Sequence, residues 1–264
     1  MTAAEQVVGL DVEDLSVTYG GHTALDRVTM SAPPGRITGL IGPNGAGKTT
    51  MFNACCGLLR PQSGTVRLFG QDVTGKSPAR RARAGLGRTF QRMELVNAMT
   101  VRANIALGAE CRRLGSNPVI QILASRGQSR AIRSSTEAAL QICGLPPVAE
   151  RTVGTLSTGQ RRLVELARVL AGGYPLLLLD EPSSGLDEGE TEQFGEILRA
   201  AVRERGLGIL LVEHEMDLVM AICGHLYVIE FGRLIFEGTP RETQASDLVR
   251  AAYLGTDAAV GASA

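Results

Sequence analysis

The amino-acid sequence predicts an α/β fold in which a helical segment is inserted into a sheet-based core. Short runs rich in β-branched residues and turn residues fill the first ninety positions. From about residue 100 to residue 172, apolar residues recur at spacings of three and four, which is typical of amphipathic helices. Continuous apolar runs at 176–179 and 209–212 then indicate parallel strands that are buried on both faces.

The predicted strands are short and are bounded by glycine or by charged residues. In the first part of the chain they are expected at residues 7–12, 15–19, 24–30, 37–41 and 64–69. Near the end, residues 226–230 and 234–237 flank Phe231, Gly232 and Arg233, a pattern that predicts a hairpin.

The helical pattern predicts helices at residues 101–113, 132–142 and 160–170. Residues 114–134 mix Gly, Ser, Asn and Pro with apolar residues, which indicates a surface insertion with some helix. A helix is compatible with residues 241–254, and the small residues of 256–264 indicate a flexible tail.

Composition and charge favour a globular protein and argue against several other classes. The chain has 264 residues, of which 44% are hydrophobic, so it can bury a core. Its 27 acidic and 27 basic residues give a net charge of zero, which argues against a nucleic-acid partner. The longest apolar run (218–223) is too short for a membrane span, and the first residues do not resemble a signal peptide, so a cytosolic chain is expected. The five cysteines show no C-x-x-C spacing and are expected to be buried thiols.

One glycine-rich segment matches the phosphate-binding pattern G-x-x-x-x-G-K-[ST] without a mismatch. It follows a predicted strand and precedes a helix-compatible run that begins at Thr50. In such a loop the backbone N–H groups and the helix N-terminus point at phosphates, the lysine reaches the β- and γ-phosphates, and the hydroxyl holds Mg²⁺. The segment consists of Gly42, Pro43, Asn44, Gly45, Ala46, Gly47, Lys48 and Thr49.

Two acids follow the apolar run at 176–179. Asp180 and Glu181 would stand at the carboxyl end of a buried strand, where an open α/β sheet presents groups to a ligand. Asp180 would complete the Mg²⁺ shell with Thr49, and Glu181 could polarise the attacking water. Standing alone, such a pair would read as solvated acids before a proline turn; the phosphate loop favours the functional interpretation.

The segment Leu156-Ser157-Thr158-Gly159-Gln160 precedes a predicted helix and has two compatible interpretations. Ser157 and Gln160 form a capping box, S-x-x-Q, which needs no ligand. A helix start with Ser157 and Gly159 is also suited to binding an anion, because free N–H groups and the helix dipole face outward together.

In this order the motifs resemble those of the ATP-binding cassette (ABC) ATPases, over about residues 9–240. The order is the phosphate loop, Gln91, the Ser157 segment, Asp180-Glu181, Asp187 and His214. The resemblance implies a P-loop NTPase fold with a RecA-like core, an antiparallel β subdomain and an inserted α-helical subdomain. It implies one cassette over residues 1–255, with the nucleotide-binding core at 1–90 and 172–240 and the helical subdomain at 91–171. Thr158 departs from the glycine that is most common at that position.

The same resemblance implies roles for single residues. Tyr19 would stack on adenine, and Gln91 would contact Mg²⁺ and the water while coupling the core to the helical subdomain. His214 would hold the γ-phosphate, and Asp187 would communicate across a dimer. Without the family context, Tyr19 would be an ordinary strand tyrosine and His214 a structural histidine.

In the family each ATP lies between the phosphate loop of one subunit and the Leu-Ser-x-Gly-Gln segment of another. The resemblance therefore implies a second cassette, either a copy of this chain or a paralogue. It further implies two separate polytopic membrane permeases, indirect action with an extracytoplasmic solute-binding protein, and a peripheral location on the cytoplasmic face of the membrane.

Three segments resemble the cassettes of branched-chain amino acid importers: residues 87–91, residues 98–104 and residues 252–255. Cassettes of urea importers and of lipopolysaccharide exporters share parts of this pattern and stay open as alternatives. A soluble cassette ATPase of repair or translation is disfavoured by the single cassette and the zero net charge. A RecA-like enzyme of another family is disfavoured by the Ser157 segment.

Overall fold

Six strands form the central sheet, five of them parallel, and the last strand pairs antiparallel at one edge. The structure, a computed structural model, describes residues 9–89, 94–114 and 126–260. The order in the sheet is β10-β9-β3-β8-β7-β6. These strands are β3 (Ile37–Ile41), β6 (Leu86–Arg88), β7 (Leu176–Asp180), β8 (Gly208–Val212), β9 (His225–Glu230) and β10 (Arg233–Gly238).

A second, antiparallel sheet packs beside the first and has the order β2-β1-β4-β5. It consists of β1 (Leu10–Tyr19), β2 (His22–Ala32), β4 (Ser63–Leu68) and β5 (Gln71–Asp72). The sequence predicts two strands, at residues 7–12 and 15–19, where β1 lies. The structure instead has one strand with a bulge, because Asp14 adopts a φ of 48° and the register with β2 shifts between Val12 and Leu15.

The helices surround both sheets. They are α1 (Lys48–Cys56), α2 (Pro78–Arg83), α3 (Val101–Leu114), α4 (Arg126–Ile142), α5 (Thr158–Ala171), α6 (Glu188–Arg205), α7 (Met216–Ile222), α8 (Pro240–Ala245) and α9 (Asp247–Val260). Within the described ranges, none of these helices combines the length and the apolar character that crossing a membrane requires.

Both faces of the central sheet are buried, as its apolar runs predict. Along β7, Leu177 and Leu179 pack into a cluster with α3, α5 and α6. Leu176 and Leu178 point to the opposite face, where they pack into a cluster with α1 and the antiparallel sheet. The central sheet is therefore a rigid layer between two apolar cores, and its strand ends are well placed to position a site.

Helices α3, α4 and α5 pack against one another and form the predicted helical segment. Their shared core includes Ile105, Ala109, Leu140 and Val164. Helix α4 begins at Arg126, so part of the predicted surface insertion at 114–134 is helical, while 115–125 lie outside the described residues.

Three details differ from the sequence expectations. The helix expected at 241–254 is two helices that meet at Ser246, and the second continues to Val260, into the expected tail. Helix α6 was not predicted, although the buried positions Phe194, Ile197 and Leu198 carry a helical spacing. Cys111 is exposed rather than buried, because it lies about 200° around α3 from the buried Ala109.

Candidate functional site

The glycine-rich loop joins the end of β3 to the start of α1, as its motif predicts. Gly42 opens the loop with a φ of 152°, and a Cβ at this position would lie 2.0 Å from the carbonyl oxygen of Ile229. Only glycine permits so close an approach, since a side chain would force the loop off β9. The loop therefore lies tightly against the sheet edge, with its later residues Asn44 and Gly45 exposed.

Lys48 is the first residue of α1 and folds back over the loop. Its Nζ donates hydrogen bonds to the carbonyl oxygens of Gly42 at 2.5 Å and Pro43 at 3.0 Å. Burial lowers the pKa of the ammonium, and the nearby charges of Glu181 and Asp180 oppose that effect. The ammonium is thus held between the loop and the two predicted acids.

Asp180 ends β7 and is almost completely buried, with a relative exposure of 1%. Its Oδ2 accepts a hydrogen bond from Arg88 at 3.3 Å, and Arg88 also donates to the side-chain oxygen of Asn53 at 2.9 Å. Burial raises the pKa of the Asp180 carboxyl, while the neighbouring Arg88 lowers it. Among the described residues, the buried Oδ1 of Asp180 has no hydrogen-bond partner.

Glu181 and His214 come together although 33 positions separate them in sequence. Nε2 of His214 lies 2.7 Å from Oε1 of Glu181, within hydrogen-bond distance. They meet because β7 and β8 are parallel neighbours in the sheet, which place their carboxyl ends at the same edge. Glu181 has a φ of 48°, a left-handed conformation that costs a residue with a side chain about 1–2 kcal/mol.

Lys48, Glu181 and His214 border one cavity of about 350 Å³ at the carboxyl edge of the parallel strands, whereas Asp180 is not part of its lining. Tyr19, at the end of β1, also lines the cavity and is 48% exposed. Phe231, on the turn between β9 and β10, also lines it and is 84% exposed. The predicted site residues in its lining are Tyr19, Asn44, Gly45, Ala46, Gly47, Lys48, Thr49, Thr50, Glu181 and His214.

The Ser157 segment lies elsewhere. Ser157 caps α5 with the predicted capping box: its Oγ accepts from the Gln160 N–H at 3.2 Å, and its own N–H donates to Oε1 of Gln160 at 3.3 Å. Among the described residues, the lining of the 350 Å³ cavity includes none of Ser157, Gly159 and Gln160. The structure therefore separates this segment from the phosphate loop of the same chain.

The start of α5 is instead linked to the turn that follows Glu181. Arg162 donates through Nε to the carbonyl oxygen of Ser184 at 3.3 Å, and the Ser184 N–H donates to the carbonyl of Glu181 at 3.2 Å. Asp187 caps α6, accepting from the Glu190 N–H at 2.7 Å. The predicted Gln91 lies outside the described residues.

Arg88 and Gly232 also shape the site through contacts that the sequence does not predict. Arg88 pairs with Asp180, but a single arginine between Gly87 and Thr89 gives no signal of that partner. Gly232 is in the predicted hairpin turn, yet its N–H donates to the Ala46 carbonyl at 2.9 Å and its own carbonyl accepts from the Asp26 N–H at 2.8 Å. One turn thereby joins the phosphate loop to β2.

We expect Gly232→Ala to weaken both stability and nucleotide binding. Gly232 has a φ of 77°, and an added Cβ would lie 2.7 Å from the Ala24 carbonyl oxygen. The left-handed conformation alone costs about 1–2 kcal/mol of unfolding free energy, which urea denaturation would measure. Gly75→Ala is the control, since a Cβ there would meet nothing within 4 Å. If Gly75→Ala lowered the unfolding free energy as much as Gly232→Ala does, the structural role given to Gly232 would be contradicted.

Comparison with known proteins agrees with this geometry. Residues 25–184 match the family model described as ABC transporter. Two similar proteins are named high-affinity branched-chain amino acid transport ATP-binding protein: BraF of Pseudomonas aeruginosa, 36% identical, and LivG of Escherichia coli K12, 37% identical. Each alignment covers 93% of this chain and 97% of the relative. The methionine import ATP-binding protein MetN of Caulobacter vibrioides is 36% identical over 90% of this chain but 70% of its own length.

A similar solved structure is the ADP conformation of MJ1267, an ATP-binding cassette of an ABC transporter. It superposes with a TM-score of 0.82 at 30% identity and covers 94% of this chain and 99% of that chain. The predicted α/β P-loop NTPase fold is thereby confirmed. Because the family model spans more than half of the chain and the relatives match nearly all of it, the chain belongs to the ABC transporter family, as an ATP-binding subunit that hydrolyses ATP.

Proposed function

We propose that this chain hydrolyses ATP, with Mg²⁺, to drive uptake of branched-chain or similar amino acids through separate membrane permeases. This solute class is supported by the fraction of each relative's length that aligns with this chain. BraF and LivG align over 97% of their length, whereas MetN aligns over 70% at a similar identity. The alignment thus spans nearly the whole of BraF and LivG but leaves part of MetN unmatched.

The Glu181–His214 pair beside the phosphate loop is the observation that carries the catalytic part of the proposal. Glu181 accepts a proton from the attacking water as general base. His214, 2.7 Å away, orients Glu181 and holds the γ-phosphate. Lys48 and the loop N–H groups bind the β- and γ-phosphates, and Tyr19, at the far side of the cavity, stacks on adenine.

The residues present fit a magnesium ion. Asp180 offers a buried carboxylate oxygen that lacks a hydrogen-bond partner among the described residues, and Thr49 offers a hydroxyl at the start of α1. Oxygen ligands of this kind suit Mg²⁺. At this place Mg²⁺ would supply neutralisation of the charge that develops on the phosphates. Asp180 and Thr49 would hold it, with Gln91 as a further ligand.

A second cassette completes the site in this proposal. The phosphate loop and the Ser157 segment lie apart in one chain, so Ser157, Gly159 and Gln160 would contact the nucleotide of another subunit. Asp187, beside that segment, would communicate across the interface. The second subunit is a copy of this chain or a paralogue.

The remaining partners follow from the same proposal. The chain acts at the cytoplasmic face of the membrane with two polytopic permeases, and indirectly with an extracytoplasmic solute-binding protein; nucleic acid is not a partner. Residues 1–90 and 172–240 serve as the nucleotide-binding core and residues 91–171 as the helical subdomain of one cassette that ends near residue 255.

Uptake of labelled leucine tests the proposal directly. We compare cells that carry the unaltered chain with cells in which the chain carries Glu181→Gln, and use methionine and urea as comparison solutes. The proposal is supported if the variant loses uptake of leucine, isoleucine and valine but keeps uptake of methionine and urea. The proposed solute class is contradicted if only methionine uptake or only urea uptake is lost, or if no uptake changes.

Specific ATPase activity at increasing protein concentration tests the need for a second cassette. A rise that levels off indicates dimerisation of this chain, and a rise only on adding a paralogous cassette indicates a heterodimer. A constant, high specific activity of a monomer contradicts the composite site.

A further inference from the structure

Glu213 lies between the two loops that carry Glu181 and His214. It follows directly after β8 and is almost completely buried, with a relative exposure of 3%. Its Oε1 accepts hydrogen bonds from the N–H of Ser183 at 2.8 Å and from the Oγ of Ser183 at 2.7 Å. Its Oε2 accepts from the N–H of His214 at 3.1 Å. One carboxylate thus joins both loops.

This bridge begins where the backbone ladder ends. The parallel pairing of β7 with β8 closes at Asp180 and Val212, and one more bond follows, from the Glu181 N–H to the Val212 carbonyl at 2.9 Å. Beyond that point both strands are followed by loops. Hydrogen bonds from these loops to the side chain of Glu213 continue the connection between them.

A buried carboxylate needs a compensating interaction. Burial raises the pKa of Glu213, and the hydrogen bonds from Ser183 and from the His214 N–H oppose this effect by favouring the ionised form. A carboxylate that only filled space would be costly to bury, since an apolar residue packs there without desolvation. All three donors belong to the two loops that meet at the proposed catalytic pair.

We propose that Glu213 is a positioning residue for ATP hydrolysis: it holds the turn after Glu181 and the loop of His214 together, so that Glu181 and His214 meet. The proposal rests on the roles proposed above for those two residues. Glu181 adopts a left-handed backbone conformation that the surrounding bonds must maintain. Small displacements of a catalytic group cost large factors in rate, on the order of a hundredfold for 1 Å.

The isosteric substitution Glu213→Gln separates the two halves of the bridge. An amide keeps one oxygen that can accept from Ser183, but its NH₂ group then faces the N–H of His214, and two donors cannot bond. We expect kcat for ATP to fall about tenfold or more, with the dissociation constant of ATP close to that of the unaltered chain. Glu215→Gln, which changes an exposed glutamate two positions on, is the matched control and leaves kcat unchanged.

A second variant keeps the test decisive if Glu213→Gln does not fold. Ser183→Ala removes the Oγ donor and preserves the N–H donor, so we expect a smaller fall in kcat, about threefold, at unchanged ATP affinity. A kcat within twofold of the unaltered chain in both variants, or in Ser183→Ala alone where the other does not fold, overturns the proposal.

A double-substitution cycle distinguishes positioning from general structural support. If Glu213 acts through His214, adding Glu213→Gln to His214→Ala lowers the residual rate by much less than it lowers the rate of the unaltered chain. Full additivity overturns the proposal. Separately, an active Glu181→Gln variant would show that the proposed role of Glu181 is wrong, whatever Glu213 does.

Discussion

We expect the Glu181→Gln variant to retain bound ATP and to lose turnover by at least about a hundredfold, the factor that a positioned general base contributes. Glutamine has the same shape as glutamate but cannot take a proton from water. Its amide can still bond to His214 and leaves the phosphate loop untouched, so ATP should bind with nearly unchanged affinity. Phosphate release at saturating ATP, together with equilibrium binding of labelled ATP, measures both quantities.

If the composite site forms, the same variant accumulates in the ATP-bound dimer, which size-exclusion chromatography detects. Glu192→Gln on α6 is a suitable control, because it removes an exposed carboxylate that is not in the lining of the cavity, so the variant should hydrolyse ATP normally. Full activity of Glu181→Gln would show that another group positions the water.

Lys48→Ala should abolish nucleotide binding at ordinary concentrations. The ammonium is the cation at the loop, bonded to the carbonyls of Gly42 and Pro43, and phosphate oxygens would be its natural partners. Removing one partner of a buried, hydrogen-bonded charge pair weakens binding by about 2–5 kcal/mol, so we expect the binding free energy of ATP to weaken by that amount. Isothermal titration calorimetry with ATP measures the loss.

Lys76→Ala provides the matched comparison, since Lys76 is an exposed lysine outside the cavity lining. It should bind ATP as the unaltered chain does. Unchanged ATP affinity in Lys48→Ala would mean that the phosphates are held without this ammonium, and the assignment of the loop would have to be abandoned.

The positions that the sequence predicts for candidate site residues depend on strand ends. The phosphate loop follows β3, Asp180 and Glu181 follow the apolar run of β7, and His214 follows that of β8. Parallel strands place their carboxyl ends at one edge, so knowing which runs are strands is enough to predict that these residues converge. The capping box of Ser157 was also predictable, because it involves residues three positions apart.

Long-range partners could not be predicted in this way. Nothing in the local sequence shows that Arg88 reaches Asp180, that Glu213 bonds to Ser183, or that Gly232 touches Ala46. Each contact joins segments that are far apart in the sequence and that meet only when the whole sheet has formed. The division of the last helical stretch at Ser246 also escaped the periodicity, since Ser246 adopts an extended backbone, with φ −77° and ψ 122°, that ends α8.

The central position of β3 has a consequence for how the protein is made. That strand lies between β8 and β9, and the loop after it is supported by Ile229 and Gly232, all of which emerge from the ribosome long after the loop itself. A nascent chain therefore displays the glycine-rich motif early but cannot complete its binding surface until synthesis has nearly finished. Premature release would yield a polypeptide that contains the motif and cannot hold a nucleotide.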